Sequence, residues 1–285
     1  MGKIAKRVGL GVGGVLGLAL LAGGVAATVF WFRPVGVNNY VNKQTLRLLT
    51  DSPELLTNIG AVDGTPLDFH SGKLGNYTKA GDDKSLAMIK EAREGLDSYC
   101  GDKPLKEQER LTCDVVGWFF DELIRQSRFD AGGYPISQLS GPHIDLPRFM
   151  TSQHKMTTPK LARNYLSRLA EIDRVLAETA ARVDEAEATG VVAPDFVIEK
   201  TLTGLRAFIA TAPADNPLVA TLPDRLARID GLSEDDRADI VAKAETMLVI
   251  STCIVNVSCA STYLCVTFAR TSTSQRIRAF YISSF

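Results

Sequence analysis

The sequence predicts a mainly α fold, a bundle of long helices with an ordered Gly/Pro-rich loop, preceded by an N-terminal transmembrane helix. Three observations carry this prediction. Apolar residues recur at three- and four-residue steps through two long stretches, about 105–129 and 158–189, which is the period of a helix with one buried face. Between them, Asp130–Met150 holds Gly132, Gly133 and Gly141 with Pro135, Pro142 and Pro147, residues that break helices and extend the chain. It also holds Tyr134, Ile136, Leu139, Ile144, Leu146, Phe149 and Met150, too many apolar side chains for a surface linker, so an ordered loop packed between helices is expected. The third observation is an uncharged run from Val8 to Phe32, 25 residues long.

That run is long enough to span a bilayer, which needs about 20 residues. Lys3, Lys6 and Arg7 precede it and Phe30-Trp31-Phe32 closes it, so the positive-inside rule places the N-terminus in the cytoplasm and the main domain outside. Residues 1–33 are therefore expected to be an inner-membrane anchor, with residues 8–32 in the membrane and the rest periplasmic. The alternative is secretion after cleavage at the small residues Val25-Ala26-Ala27. Gly9, Gly13 and Gly17 share one helix face, a spacing that glycine-rich export segments also show by chance.

Of the 32 Lys and Arg, seven lie in residues 1–33 and 251–285, which hold no acid; the other 25 face all 33 acids, a net charge of -8 between residues 34 and 250. A nucleic-acid partner would require a basic face, and this balance argues against one. Overall composition, 45% hydrophobic and 23% charged, is that of a globular protein.

Residues 34–250 form the expected helical domain. Leu46, Leu49, Leu55, Leu56 and Ile59 suggest short helices interrupted at Pro53. Asp63–Asp83, with four glycines and Pro66, reads as loop, and helical patterning resumes at Lys84. A stronger helix follows, with Leu111, Val115, Trp118, Phe119 and Leu123 as its core face; an aromatic cluster at helical spacing is expected to be core packing. Cys100 and Cys113 flank its start, either bridged, if the chain is exported, or as two buried thiols.

Thr158-Pro159 is a helix start, with threonine as cap and proline at the first helical position. Leu161, Tyr165, Leu169, Ile172, Leu176 and Val183 trace a stripe that Gly190 ends. Pro194 opens a helix with Val197, Leu202, Leu205 and Ile209 on one face, closed near Pro213. Ser233, followed by Glu234, Asp235 and Asp236, caps a last one.

Several phrases then combine: Ser52-Pro-Glu-Leu-Leu-Thr-Asn-Ile-Gly60, Leu111-Thr-Cys-Asp-Val-Val-Gly-Trp-Phe-Phe120, Tyr134-Pro-Ile-Ser-Gln-Leu-Ser-Gly141, Leu146-Pro-Arg-Phe149, Asn164-Tyr-Leu-Ser-Arg-Leu169 and Gly190-Val-Val-Ala-Pro-Asp-Phe-Val-Ile-Glu-Lys200. Together they resemble the bacterial family called domain of unknown function 885, in the family's order, over roughly residues 45–250. The resemblance implies a largely helical zinc metallopeptidase, often exported, of which this chain matches the N-terminal half. The family's zinc site, an H-E-x-x-H helix with a further carboxylate, would follow residue 250.

No such pair of histidines is present, although two imidazoles one turn apart are what bind zinc and the glutamate between them is what polarises its water. The histidines, His70, His143 and His154, fall in predicted loops with no carboxylate or thiol at ligand spacing, and surface or loop-packing roles are expected for them. Most Asp and Glu are expected to be solvated. No residue is assigned a catalytic, cofactor-binding or metal role, no cofactor is expected in this chain, and zinc is expected only in full-length relatives.

Residues 251–285 form an atypical tail, with no Asp, Glu or Lys, twelve Ser or Thr, and Cys253, Cys259 and Cys265. A shifted reading frame or disorder is the expected account; a β-strand, or a second span over Met247–Ala269, are alternatives. The expected function is an inactive N-terminal fragment of an exported, membrane-anchored zinc metallopeptidase-like protein, with a peptide substrate only where the other half is present. The alternative is a non-catalytic, membrane-tethered binding or scaffolding protein.

Overall fold

A computed structural model describes Gly24, Thr28, Phe32 and residues 34–101, 104–132 and 134–261. Apart from those first three residues, the expected anchor lies outside the described residues, as does the tail beyond residue 261. Among the described residues every regular element is helical, and none is long and apolar enough to cross a membrane. The chain divides into two compact units, Met1–Leu48 with Ser85–Ser127, and Leu49–Lys84 with Arg128–Phe285.

The first unit packs α1 (Gly36–Thr50), most of α3 (Lys79–Cys100) and α4 (Glu107–Gln126). Its core is Val37, Tyr40, Ala92, Leu96, Cys113 and Phe120. Tyr40 crosses α3 where Gly95 leaves room: a Cβ there would run into the Tyr40 hydroxyl, which instead donates to the Ala92 carbonyl at 2.8 Å. Arg47 grips Glu91 with two nitrogens, at 3.0 and 2.8 Å. Glu109 begins α4 by accepting the Lys106 backbone N–H at 3.0 Å, where the helix dipole favours an acid.

The question left open for Cys100 and Cys113 is answered: they are bridged, Cα atoms 5.7 Å apart, tying the end of α3 to the second turn of α4. Such a bond persists in an oxidising compartment.

One expectation fails here. Leu111, Val115, Trp118 and Phe119 are exposed, while Cys113, Gly117 and Phe120 on the other side of α4 are buried. Periodicity shows that a face is apolar, not that something covers it, and this helix is apolar on two faces.

The second unit begins with α2 (Pro53–Ile59), where Pro53 opens a helix as it ends the preceding stretch, and Gly60 in the left-handed region closes it. Residues 61–78 are loop, and α3 starts at Lys79, five residues before the expected Lys84. Asp130–Met150 is corrected in part. Ile136 is buried, as an ordered loop requires, but Tyr134 and Leu139 are exposed and the second half is helix α5 (Pro142–Ser152). Pro142 occupies the first helical position, where no donor is needed. Pro147 lies inside and leaves one carbonyl without its helical partner. Burial of Leu146, Phe149 and Met150 on one face offsets that loss.

Helix α6 (Pro159–Ala188) has 30 residues and the expected cap, Thr158 Oγ accepting the Leu161 N–H at 3.3 Å. Its Ala162, Tyr165, Leu169 and Val175 meet Leu218, Val219, Leu222, Leu226 and Ile229 in the main core. Those residues come from 213–233, which carries no long helical period and folds as a 3-10 turn (Pro213–Asp215) and the short helices α8 (Pro217–Ala220) and α9 (Leu222–Leu226). Between α6 and this segment, α7 (Asp195–Ala210) buries Ile198 and Leu202 against Ile136, Ala180 and Val183. Helix α10 (Glu234–Ser261) starts at the expected cap, Ser233 Oγ accepting the Asp236 N–H at 3.1 Å, and adds Ile240 and Ala244 to the core. Its backbone runs past residue 250, so 251–261 is helical and a strand does not begin there.

The bridge closes a short loop and should contribute about 2–4 kcal/mol. Thermal unfolding of the Cys100→Ala/Cys113→Ala variant should show a transition lowered accordingly, with dithiothreitol reproducing the shift in the parent chain; equal melting in all samples would contradict the role given to the bridge.

Candidate functional site

Three residues of α6 one turn apart, Lys160, Asn164 and Arg168, lie along one side of the helix and reach the loop 61–78. Lys160 Nζ donates to the carbonyls of Thr65 and Asp68, both at 3.1 Å, and Asn164 Nδ2 donates to Ser71 Oγ at 2.6 Å. Arg168 is fully buried. Its Nε donates to the Lys73 carbonyl at 2.9 Å, and Nη2 to Thr57 Oγ1 at 2.7 Å and, at longer range, to the carbonyls of His70 and Pro53. Its Nη1 donates to His154 Nδ1 at 2.8 Å. Further along α6, Arg174 donates to the Gly75 carbonyl, and Glu178 accepts the Tyr77 N–H at 2.9 Å.

The electrostatics follow from this geometry. Burial draws the Arg168 guanidinium down to about 10, still charged at neutral pH, with Glu54, Asp63 and Asp68 opposing the shift. His154 Nε2 lies 2.9 Å from the Leu161 carbonyl, so it carries the proton and leaves Nδ1 to accept from Arg168. Burial, reinforced by the charges of Arg168 and Arg225, pushes His154 down to about 3 and keeps the ring neutral.

Beside it, Asp63 Oδ1 lies 2.9 Å from His70 Nε2, and Asp68 Oδ1 lies 3.3 Å from His70 Nδ1, all three side chains buried. Burial opposes ionisation of Asp68, but the Ser71 hydroxyl and the N–H groups of Gly64 and Ser71 outweigh it and hold the carboxyl at about 2.

The segments that Arg168 gathers line an open cleft of about 310 Å³. Leu146 and Phe149 of α5 form its floor, and the guanidinium of Arg168 lies 4.9 Å from the centre of the Phe149 ring. Glu54 and Asn58 of α2, Tyr77 of the loop, and Asp145, Arg148 and Gln153 surround it. Glu54 Oε1 accepts the Gly75 N–H at 2.8 Å and the Tyr77 hydroxyl at 3.3 Å. Burial, then the charge of Glu54, raises the Tyr77 phenol, which stays a neutral donor. The cleft offers two carboxylates, a guanidinium and two amides beside the apolar side chains of Leu146 and Phe149.

The sequence assigned no site residue, and among the described residues no group of three or more His, Cys, Asp or Glu is arranged to hold a metal ion. The expectation of loop-packing roles holds for His70 and His154; a surface role does not, because both are buried. His143 sits in the first turn of α5, its pKa lowered by burial. Solvation also fails to account for Asp63, Asp68, Glu54 and Glu178, which bond loop groups. The Lys160, Asn164 and Arg168 spacing was the signal for this network, a polar stripe beside an apolar one.

A family model described as a bacterial protein of unknown function, DUF885, matches residues 53–250. No curated protein matches the chain. A solved structure, that of a candidate lipoprotein from Colwellia psychrerythraea, is similar in fold with a TM-score of 0.59 at 15% identity, over 85% of this chain and 41% of that one. The chain thus spans less than half the length of this relative.

Removing the buried cation leaves three segments without their common donor, so Arg168→Met should cost about 3–5 kcal/mol, and Arg168→Lys should recover little, having no planar fork. For His154 the unfolded ring titrates near 6.5 and the folded ring at about 3. Between those values the unfolded chain holds the extra proton, so stability is complete above about pH 6.5 and falls as pH drops towards 3, by up to ~1.4 kcal/mol per unit. Asp68 adds a loss only below about pH 4. Urea unfolding between pH 7.5 and 4.5 should show this slope, and His154→Gln should flatten it; an unchanged slope would assign the pH dependence elsewhere.

Proposed function

We propose, from the premise that this chain belongs to the DUF885 family of bacterial proteins, that it is the N-terminal helical part of an exported, membrane-anchored protein of the zinc metallopeptidase type. In this proposal it supplies one wall of a substrate cleft and does not hydrolyse peptides by itself. The observation that carries it is the extent of the match: residues 53–250 fit the family, and the fold spans 41% of the solved relative, while the sequence has no H-E-x-x-H. The Cys100–Cys113 bridge supports an extracytoplasmic domain, and the relative's description as a lipoprotein points the same way. The run at residues 8–32 would then hold the chain at the inner membrane, and zinc would belong to the part that carries the two histidines.

The cleft above Phe149 is the natural wall. Its charges suit the backbone ends and mixed side chains of a peptide, and Arg168 holds its walls in place. A non-catalytic, membrane-tethered binding protein is the second reading, favoured by the apolar core of the second unit and the burial of Arg168.

The purified chain should hold no stoichiometric zinc by metal analysis and should cleave no member of a fluorogenic peptide panel. Tight zinc binding together with hydrolysis would overturn the proposal; a monodisperse chain that retrieves one specific partner would favour the second reading.

A further inference from the structure

Helix α4 has two apolar faces on opposite sides. At 3.6 residues per turn, Cys113, Gly117 and Phe120 point one way and are buried, while Leu111, Val115, Trp118 and Phe119 point the other. These four are 53%, 54%, 66% and 49% exposed. A helix apolar on both sides belongs inside a layered assembly, and a contiguous patch with Trp and Phe at its centre is the composition of an interface core. The proline- and glycine-free sequence of α4 between them, apart from buried Gly117, keeps the patch on a rigid rod.

We propose that this outward face of α4 is a docking surface for an amphipathic helix supplied by the part of the family fold that lies beyond this chain's match. This rests on the reading given under Proposed function. Spacing at i, i+4, i+7 and i+8 forms a ridge that fits the groove of another helix. The source of that helix is given by length: the solved relative extends well past the 41% that this chain spans.

Charge selects against the other occupants. Glu107 and Asp114 flank the patch, while Glu122 is already paired with neighbouring Arg125 at 2.6 Å. Two copies meeting through this face would oppose the same acids, and an anionic bilayer would be repelled by them. The fitting partner is a helix whose apolar stripe is bordered by Lys or Arg.

Trp31 and Trp118 are the two tryptophans of the chain, so Trp31→Phe makes Trp118 a single reporter. In nanodiscs of zwitterionic lipid, the full chain should show the red emission and ready iodide quenching of an exposed indole. Separately expressed C-terminal parts of several H-E-x-x-H-bearing family members should be titrated in. The expected result is a saturable blue shift with loss of quenching for at least one of them, and about tenfold or greater weakening in Leu111→Asp and Val115→Asp, which face outward and should leave the melting curve unchanged. No shift with any of them overturns the proposal. So does a blue shift of the chain alone that follows its own concentration, meaning a second copy, or one that appears on anionic vesicles. If the chain by itself binds zinc and cleaves peptides, the functional reading fails whatever Trp118 reports, which separates the two.

Discussion

A buried guanidinium is tolerable only where the protein replaces the water it has lost, and Arg168 is the constraint on which the second unit depends. Its donors end on Pro53, Thr57, His70, Lys73 and His154, five neutral acceptors from three separate segments. Neutral acceptors do not cancel a charge, which is why burial draws this group down to about 10 and why nearby Glu54, Asp63 and Asp68 matter even without contact. The neutral state of His154 belongs to the same arrangement: a protonated ring would present a donor, and a second positive charge, to the guanidinium.

The cleft inherits its rigidity from this arrangement. Its floor, Phe149, packs against the guanidinium, and its walls include α2 and the loop that carries Tyr77. Recognition groups at the rim therefore sit on segments positioned from below, and Glu54 is fixed again by the Gly75 N–H. The rim itself stays open to solvent.

The helical class, the cap at Thr158, the interruption at Pro53 and the cap at Ser233 were legible in the sequence because each rests on local chemistry that a short window contains. The segment after Pro142 was not, since two prolines argue locally for loop, and only burial of Leu146, Phe149 and Met150 makes a helix there worthwhile. Arg168 was also hidden, although Asn164-Tyr-Leu-Ser-Arg-Leu169 was singled out, because its partners lie far away along the chain. Helix α4 misled for a different reason. Its apolar stripe at Trp118 is genuine, but a pattern of residues cannot say whether the surface that should cover it is part of the same polypeptide.

The grip of α6 on the loop also dictates an order of assembly. Lys160, Asn164 and Arg168 reach back 92 to 115 residues along the chain, so during synthesis the loop and α2 emerge long before the helix that holds them. Until α6 arrives, Asp63, Asp68 and His70 have no lid and must remain hydrated. Distant pairings of this kind are slow to form, and the second unit is therefore a late product of translation, closed by its middle rather than built outward from its beginning.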